Sequence, residues 1–491
     1  MGKLFLLLHR LEGEVIKKKI IIIFLVLICV FFAAWKLNKQ DDNLESTVTK
    51  KVNRGEFISK GVNTGNSSEY DIKLTMDNNR NFQLESTALI KNLSTDDWEQ
   101  LTFYFIPNIF TKSVSPELEH PSTVNFHDIS IDGKKVVYTL ERDTLNIQLP
   151  HKLKPNQEVK VYFSYELTFP EQGLRFTKSN NGNFHLAQFY PMLATYRNYR
   201  WNKESYQDRG ETYHTGFSNF KLTYDIPKGF TFVSSSDKEV FPSSNVGSIE
   251  AKNIKEIFVA ILKDPILMEN DGGLSVRVFG FNENKEKLYR EIADEAIAAI
   301  NYFEEIMGPY PFKQFDIIVD GMGMEYPGIV TVGSIYNTGP SNSQELKNMV
   351  IHEIAHQWFY GIVSNDPYSD AWLDEGFAVF AASLFKLSKL KEAEDYNSMY
   401  RPDPNLELPV NLPLDQYESN MSSYVYGKSA TKLWELFKDN GEVKEAEKFL
   451  KSYYHFYRYK EVDTREFVRF VKYYFDLKDD TLFEGWLELE K

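Results

Sequence analysis

Cysteine is almost missing from this chain. Its 491 residues hold one, Cys29, so no intramolecular disulfide can form and stability rests on the buried core alone. A chain of this length can build two or three domains, each with its own core. A surplus of basic residues is missing too. Lys and Arg number 56 against 70 Asp and Glu, a net charge of −14. Nothing is left over to neutralise phosphates, which argues against a nucleic-acid partner. No internal repeat or low-complexity tract is present, so nothing points to a repeat array. Long apolar runs are scarce as well: the only strong one is IIIIFLVLICVFFAAW, Ile20–Trp35.

That run decides where the rest of the chain goes. As a helix it spans about 24 Å at 1.5 Å per residue, slightly short of a hydrocarbon core of about 30 Å. Leu37 and the aliphatic stems of Lys19 and Lys36 cover the deficit. A cleavable leader needs small residues two apart before its cut, and FFAAWKL offers Ala33 and Ala34 side by side. A lipid-attachment cysteine needs a small residue before it, and Ile28 precedes Cys29. An uncleaved anchor over residues 20–37 is therefore expected. Lys3, Arg10, Lys17, Lys18 and Lys19 precede it, while Lys36 and Lys39 are diluted by Asp41, Asp42 and Glu45. The positive side predicts residues 1–19 in the cytoplasm, a single pass through the cell membrane, and an extracytoplasmic body. Residues 38–67 are polar and read as a linker.

From 68 to 265 strand follows strand. YDIKLTMD, FQLESTALIKNL, VKVYFSYELTF and NFKLTYDIP alternate or run apolar, separated by turn signals such as IDGKK and PNQE. An all-β sandwich or saddle domain is expected. Residues 266–491 read differently. SVRVFGF and FDIIVD are short strands. KLYREIADEAIAAINYFEEIM has helical period and stops at GPYP, and further helices run to the end. The fold class expected overall is α+β.

Within the second half, residues 352–356 read HEIAH. On a helix, His352 and His356 lie one turn apart on one face, so both imidazoles reach one metal. Glu353 sits about 100° round from His352, badly placed as a ligand but able to contact a water on that metal, the position of a general base. Glu375, expected to open the next helix, follows His356 after a gap of 18 residues. Two histidines and one carboxylate leave zinc a fourth position, as in catalytic rather than structural sites. Asp374 either orients a ligating histidine or caps a helix. His185 and His214 carry no partner pattern and read as structural.

The stretches HEIAHQWFYG and WLDEGFAVF, with that gap, resemble the gluzincin zinc aminopeptidases, the membrane-alanyl-aminopeptidase family. GPYPF, GMEYPG (Gly323–Gly328) and YVYGKSA agree with it, and the resemblance covers about residues 68–490. It implies a thermolysin-like catalytic domain over 266–491 holding one zinc per chain. It implies that Glu325, in a strand that includes Gly323, binds the substrate's α-ammonium, and that Tyr426 stabilises the oxyanion. The family's spacing to the lysine, here Lys428, implies Tyr426 and not Tyr424. Gln188, in LAQFYPML, resembles a family glutamine or acid lining the first subsite. Two positions depart from the pattern: Tyr326 where the family has Asn, and Met322 where it has Gly. Larger members also carry a C-terminal helical domain roofing the site, and FEGWLELEK resembles the end of the catalytic domain. A short, bacterial-type, membrane-anchored member without the roof is expected.

The expected function is removal of N-terminal residues from peptides by a zinc-activated water, with Glu353 as base and Tyr426 as oxyanion donor. The partners are peptides with a free N-terminus and the membrane; the sequence does not specify an oligomeric state. Two alternatives stay open. A zinc endopeptidase on the same scaffold would cut N-blocked peptides. A non-catalytic peptide-binding membrane protein would have no evident need of Glu353 and Tyr426.

Overall fold

In NSSEYDIKLTM and FQLESTALIKN nearly every second side chain is buried, the period of strands with one wet face. These two strands, Asn66–Met76 and Phe82–Asn92, pair antiparallel along their whole length and sit in the middle of a seven-stranded sheet. Its one parallel pair joins Asn66–Met76 to Ser218–Asp225. A four-stranded sheet built around Trp98–Tyr104 and Thr144–Leu153 shares its core. Phe103 of the smaller sheet meets Phe163 of the larger edge-on at 5.4 Å. A third sheet, with Val259–Lys263 and Phe184–Leu186, turns towards the second half of the chain. Its Ala260 and Leu262 share a core with Phe279, Ile318 and Ile329.

The computed structural model describes residues 56–171, 173–236, 239–271, 273–333, 342–389, 405–438 and 442–489. The anchor expected at 20–37 lies outside them. Among the described residues no helix is long and apolar enough to cross a membrane. The chain divides into Met1–Ile58, described only from residue 56, and the compact unit Ser59–Lys491, which holds everything below.

Between Lys263 and Ile266 the chain changes sheets. Ile266–Asp271, Ser275–Gly280, Gln314–Ile318 and Ile329–Thr331 form a four-stranded sheet whose last two pairings are parallel. Helix α1 (Glu286–Ile306) is the crossover between its two central strands. Tyr289, Ile292, Ala293, Ala296, Ile300 and Phe303 form its buried stripe, three and four residues apart. Helix α2 (Ser343–Ala355) starts from a capping box of Asn342 and Glu345. Helix α3 (Trp372–Lys389) follows it. The result is a mixed α+β fold with a β-rich first half and a second half in which helices cover a small sheet.

Three local expectations change. Helix α2 stops at Ala355, leaving His356 as its C-cap. Helix α3 starts at Trp372, so Glu375 sits within its first turn and does not open it. GMEYPG is not a regular strand. Met324 makes a single bridge with Thr331. The chain then turns through Pro327 and Gly328, where Ile329 N–H bonds to Tyr326 O at 3.1 Å and Gly328 has φ +76°. Proline lacks a ladder donor and positive φ suits glycine, so the turn outcompetes the strand here.

Candidate metal and catalytic site

Helix α2 presents His352 and His356 to the first turn of α3. Their Nε2 atoms are 3.1 Å apart, and Glu375 Oε2 lies 3.2 Å from the first and 3.1 Å from the second. Tetrahedral zinc with ligand bonds near 2.0–2.1 Å separates its donors by about 3.4 Å. Two imidazole nitrogens facing one another across a shared carboxylate oxygen fit a common cation. No other group of three such side chains that could hold a metal occurs among the described residues.

Asp374 is the third residue of α3, inside the helix and not its cap. Its Oδ1 lies 2.6 Å from His356 Nδ1. That bond leaves Nε2 for the metal and fixes the ring's orientation. Burial alone would lower the His356 pKa, but the carboxylates of Asp374 and Glu375 hold it well above its usual value. Burial would raise that of Glu375, and the two histidines outweigh it, keeping the carboxyl ionised.

Glu353 is buried beside this set. Burial first, and then the charge of Glu325, push its pKa well up. Gly323 makes the room for it: a Cβ there would lie 2.5 Å from Glu353 Oε1. Any side chain at 323 would displace the carboxylate.

Tyr426 comes from a π-helical turn, Ser423–Lys428. Its O–H donates to Glu375 Oε1, and its ring stacks on His352 at 5.9 Å. Tyr424 is buried in a small core that Tyr426 borders, its ring stacked on Tyr417 at 5.1 Å, and it does not line the cleft. Of the two tyrosines, Tyr426 lines the cleft beside the donor set.

Glu325 and Gly323 line the same cleft, of about 550 Å³, as Glu353 and Tyr426. Gln357, next to His356, holds the GMEYPG segment in place. Its Nε2 donates to Tyr326 O at 3.2 Å and its Oε1 accepts from Gly328 N–H at 2.9 Å. The departure at Tyr326 is absorbed by packing, since that ring stacks on Phe258 at 4.0 Å. Burial raises the Glu325 pKa to about 7, with the Glu375 charge adding to it and His356 opposing.

Gln188 is buried but does not line this cleft. Its φ of +51° and an amide nitrogen with no partner mark a constrained position. The β-rich half supplies a different group. Glu211 is buried in the cleft wall. Its Oε1 accepts from Tyr213 O–H at 3.0 Å and pairs with Arg175 Nη1 at 3.2 Å. Its Oε2 is buried with no partner among the described residues, which costs ~1–3 kcal/mol unless a donor reaches it. Burial first, then the charge of Glu325, push its pKa up to about 8. Neither Glu211 nor Arg175 carries a sequence signal: Glu211 lies in an irregular stretch with no period, far from either motif.

His185 and His214 lie away from the cleft lining. His185 pairs with Asp320 at 3.3 Å. His214 pairs with Glu461 at 2.8 Å, joining the β-rich half to the helical half.

Comparison with known proteins agrees with this geometry. Residues 292–486 match the model of the peptidase family M1 domain. Leucine aminopeptidase 2 of Candida albicans is 22% identical over 413 residues, 74% of this chain and 63% of that protein. Leukotriene A-4 hydrolase of Xenopus laevis is 27% identical over 208 residues, 38% of this chain and 34% of that one. The chain thus spans less than two thirds of either relative. In fold it resembles the crystal structure of an M1 zinc metallopeptidase from Deinococcus radiodurans. The TM-score is 0.61 at 16% identity, covering 88% of this chain and 95% of that one. At that identity the likeness speaks for fold alone. The donor triad lies inside the matched segment, and the chain carries a peptidase family M1 domain.

Proposed function

We propose that this chain is a zinc-dependent aminopeptidase that removes residues one at a time from the free N-terminus of peptides. One observation carries the reading. A single cleft is lined by the His352, His356 and Glu375 donor set, by Glu353 and Tyr426, and by the carboxylates Glu325 and Glu211.

Zinc, when bound, supplies Lewis acidity and lowers the pKa of a water towards about 7. Glu353, buried and with a raised pKa, takes the proton from the attacking water and passes it to the departing amine. Tyr426 donates its O–H to the oxygen that becomes negative as the peptide carbonyl is attacked. Glu325 and Glu211 accept the substrate's α-ammonium. A cation anchored there registers the first peptide bond over the donor set. The name of the Candida relative, a leucine aminopeptidase, supports the same substrate class.

The test is the product pattern. Full-length protein with zinc is incubated with decapeptides, and products are read by mass spectrometry. A ladder shortened by single residues from the N-terminus is expected. Internal fragments as the first products would overturn the reading.

We further propose that residues 20–37 anchor the protein with its catalytic half outside the cytoplasm, on the strength of the apolar run and its positive flank. A C-terminal reporter active only in the cytoplasm would contradict this topology.

A further inference from the structure

The cleft has an arginine in its wall. Gly173 and Leu174 make a tight approach to the strand Phe176–Lys178. A Cβ at 173 would lie 1.9 Å from Phe176 O, and Leu174 takes a φ of +56°. The following residue, Arg175, has its side chain in the cleft lining and only 12% exposed. Among the described lining residues it is the only Lys or Arg that is not exposed, Arg209 being open to solvent. Its guanidinium has five N–H donors and, among the described residues, two polar contacts: Nη1 to Glu211 at 3.2 Å and Nη2 to Gly210 O at 3.4 Å.

Glu211 depends on that contact. Its other donor, Tyr213 O–H, lies 3.0 Å from Glu211 Oε1 but 2.6 Å from Glu256 Oε1. One hydroxyl carries one proton and cannot serve both carboxylates. Glu256 is also reached by Tyr360 O–H at 2.5 Å. Whichever way the Tyr213 proton points, Arg175 is the one partner that always offers Glu211 a charged donor. Buried like charges such as Glu211 and Glu325 repel unless a counter-charge lies with them. Arg175 sets a counter-charge beside Glu211, whose Oε2 is left as an acceptor for an α-ammonium.

We propose that Arg175 is a positioning residue of the amine-binding end of the cleft and acts through Glu211, holding that carboxylate in place as an acceptor for the substrate's N-terminus. The proposal rests on the aminopeptidase reading and adds to it a residue that need not touch substrate. Its signature is coupling: Arg175 matters only while Glu211 is there to be held.

The test is a double-mutant cycle on the full chain with zinc, using alanyl and leucyl p-nitroanilides and their N-acetyl counterparts. Arg175→Gln and Glu211→Gln are each expected to raise KM about 10-fold or more, with kcat within about threefold of wild type. The double variant should be no worse than Glu211→Gln alone, within about twofold. Arg175→Lys, which keeps the charge, should restore most of the loss. Multiplied KM effects in the double variant would mean that Arg175 meets the substrate itself, and would overturn the proposal, as would an unchanged KM in Arg175→Gln. Zinc content and thermal melting report folding. If Arg175→Gln does not fold, Arg175→Lys goes through the same cycle. A near-wild-type KM, or a raised KM coupled to Glu211, sustains the proposal; an independent effect overturns it. Wild-type protein that cuts the acetylated substrates as well as the free ones would instead overturn the aminopeptidase reading, and the role of Arg175 with it.

Discussion

Tyr426 donates its O–H to Glu375, the carboxylate that completes the donor set of His352 and His356. Glu375 turns Oε2 to the histidines and Oε1 to the tyrosine. The hydroxyl thus stands beside the donor set, where a peptide carbonyl would develop charge. Tyr426→Phe should keep zinc and lose about 10²–10³ in kcat, as for an oxyanion donor. Tyr424→Phe should stay within about threefold of wild type, because that ring packs on Tyr417 away from the cleft. Equal losses in the two variants, by steady-state kinetics, would contradict the division of roles.

For the neighbours Glu353 and His352 the proposed mechanism predicts different losses. Glu353→Ala should bind zinc stoichiometrically and lose turnover by at least ~10²-fold, the usual contribution of a general base. His352→Ala should lose metal and activity together. Metal content by mass spectrometry beside kinetics separates the two. Activity retained in Glu353→Ala would remove it as the base.

Asp374 holds His356 from behind through the 2.6 Å contact to Nδ1. Asp374→Asn should weaken zinc binding about 10–100-fold, read as the chelator concentration that halves activity. If the residue served only the start of α3, helix stability would fall while zinc affinity held.

Asp366 belongs to a latch between the two halves. It accepts from Arg197 at 2.7 Å and Asn202 at 3.0 Å, while Arg197 and His214 also reach Glu461. Burial alone would raise its pKa, but His214 and Arg197 bring it down to about 2. A folded pKa below the unfolded value of about 3.9 adds stability that is complete above pH ~4 and lost as pH falls towards 2. The amount is on the order of 2 kcal/mol. Urea midpoints across this window should fall steeply for wild type and more shallowly for Asp366→Asn. Identical slopes would contradict the latch.

What the sequence made legible was local. The helical spacing of His352 and His356 and the alternation in Asn66–Met76 each follow from a short-range period, and Glu375 from the fixed gap between two motif stretches. Tyr426 was separated from Tyr424 by a motif and not by period, because the segment is a π-helical turn that no 3.6-residue pattern describes. GMEYPG read as strand because its turn is set by Pro327 and Gly328 acting against the bridge at Met324. Arg175 and Glu211 could not be read at all. They come from irregular stretches well apart in sequence, meet inside the folded β-rich half, and join the donor set in one cleft only when that half packs against the helices. Gln188 was the nearest polar candidate by local motif, yet tertiary packing buries it off the cleft.

The central claim is that the cleft requires a free N-terminus. The direct measurement takes one peptide in two forms, free and N-acetylated, and compares kcat/KM for the zinc-loaded full chain with and without a chelator. An α-ammonium held between Glu325 and Glu211 predicts at least ~10²-fold preference for the free form, the cost of leaving buried charges without their partner. It also predicts that the chelator abolishes both rates. Equal kcat/KM for the two peptides would contradict the account.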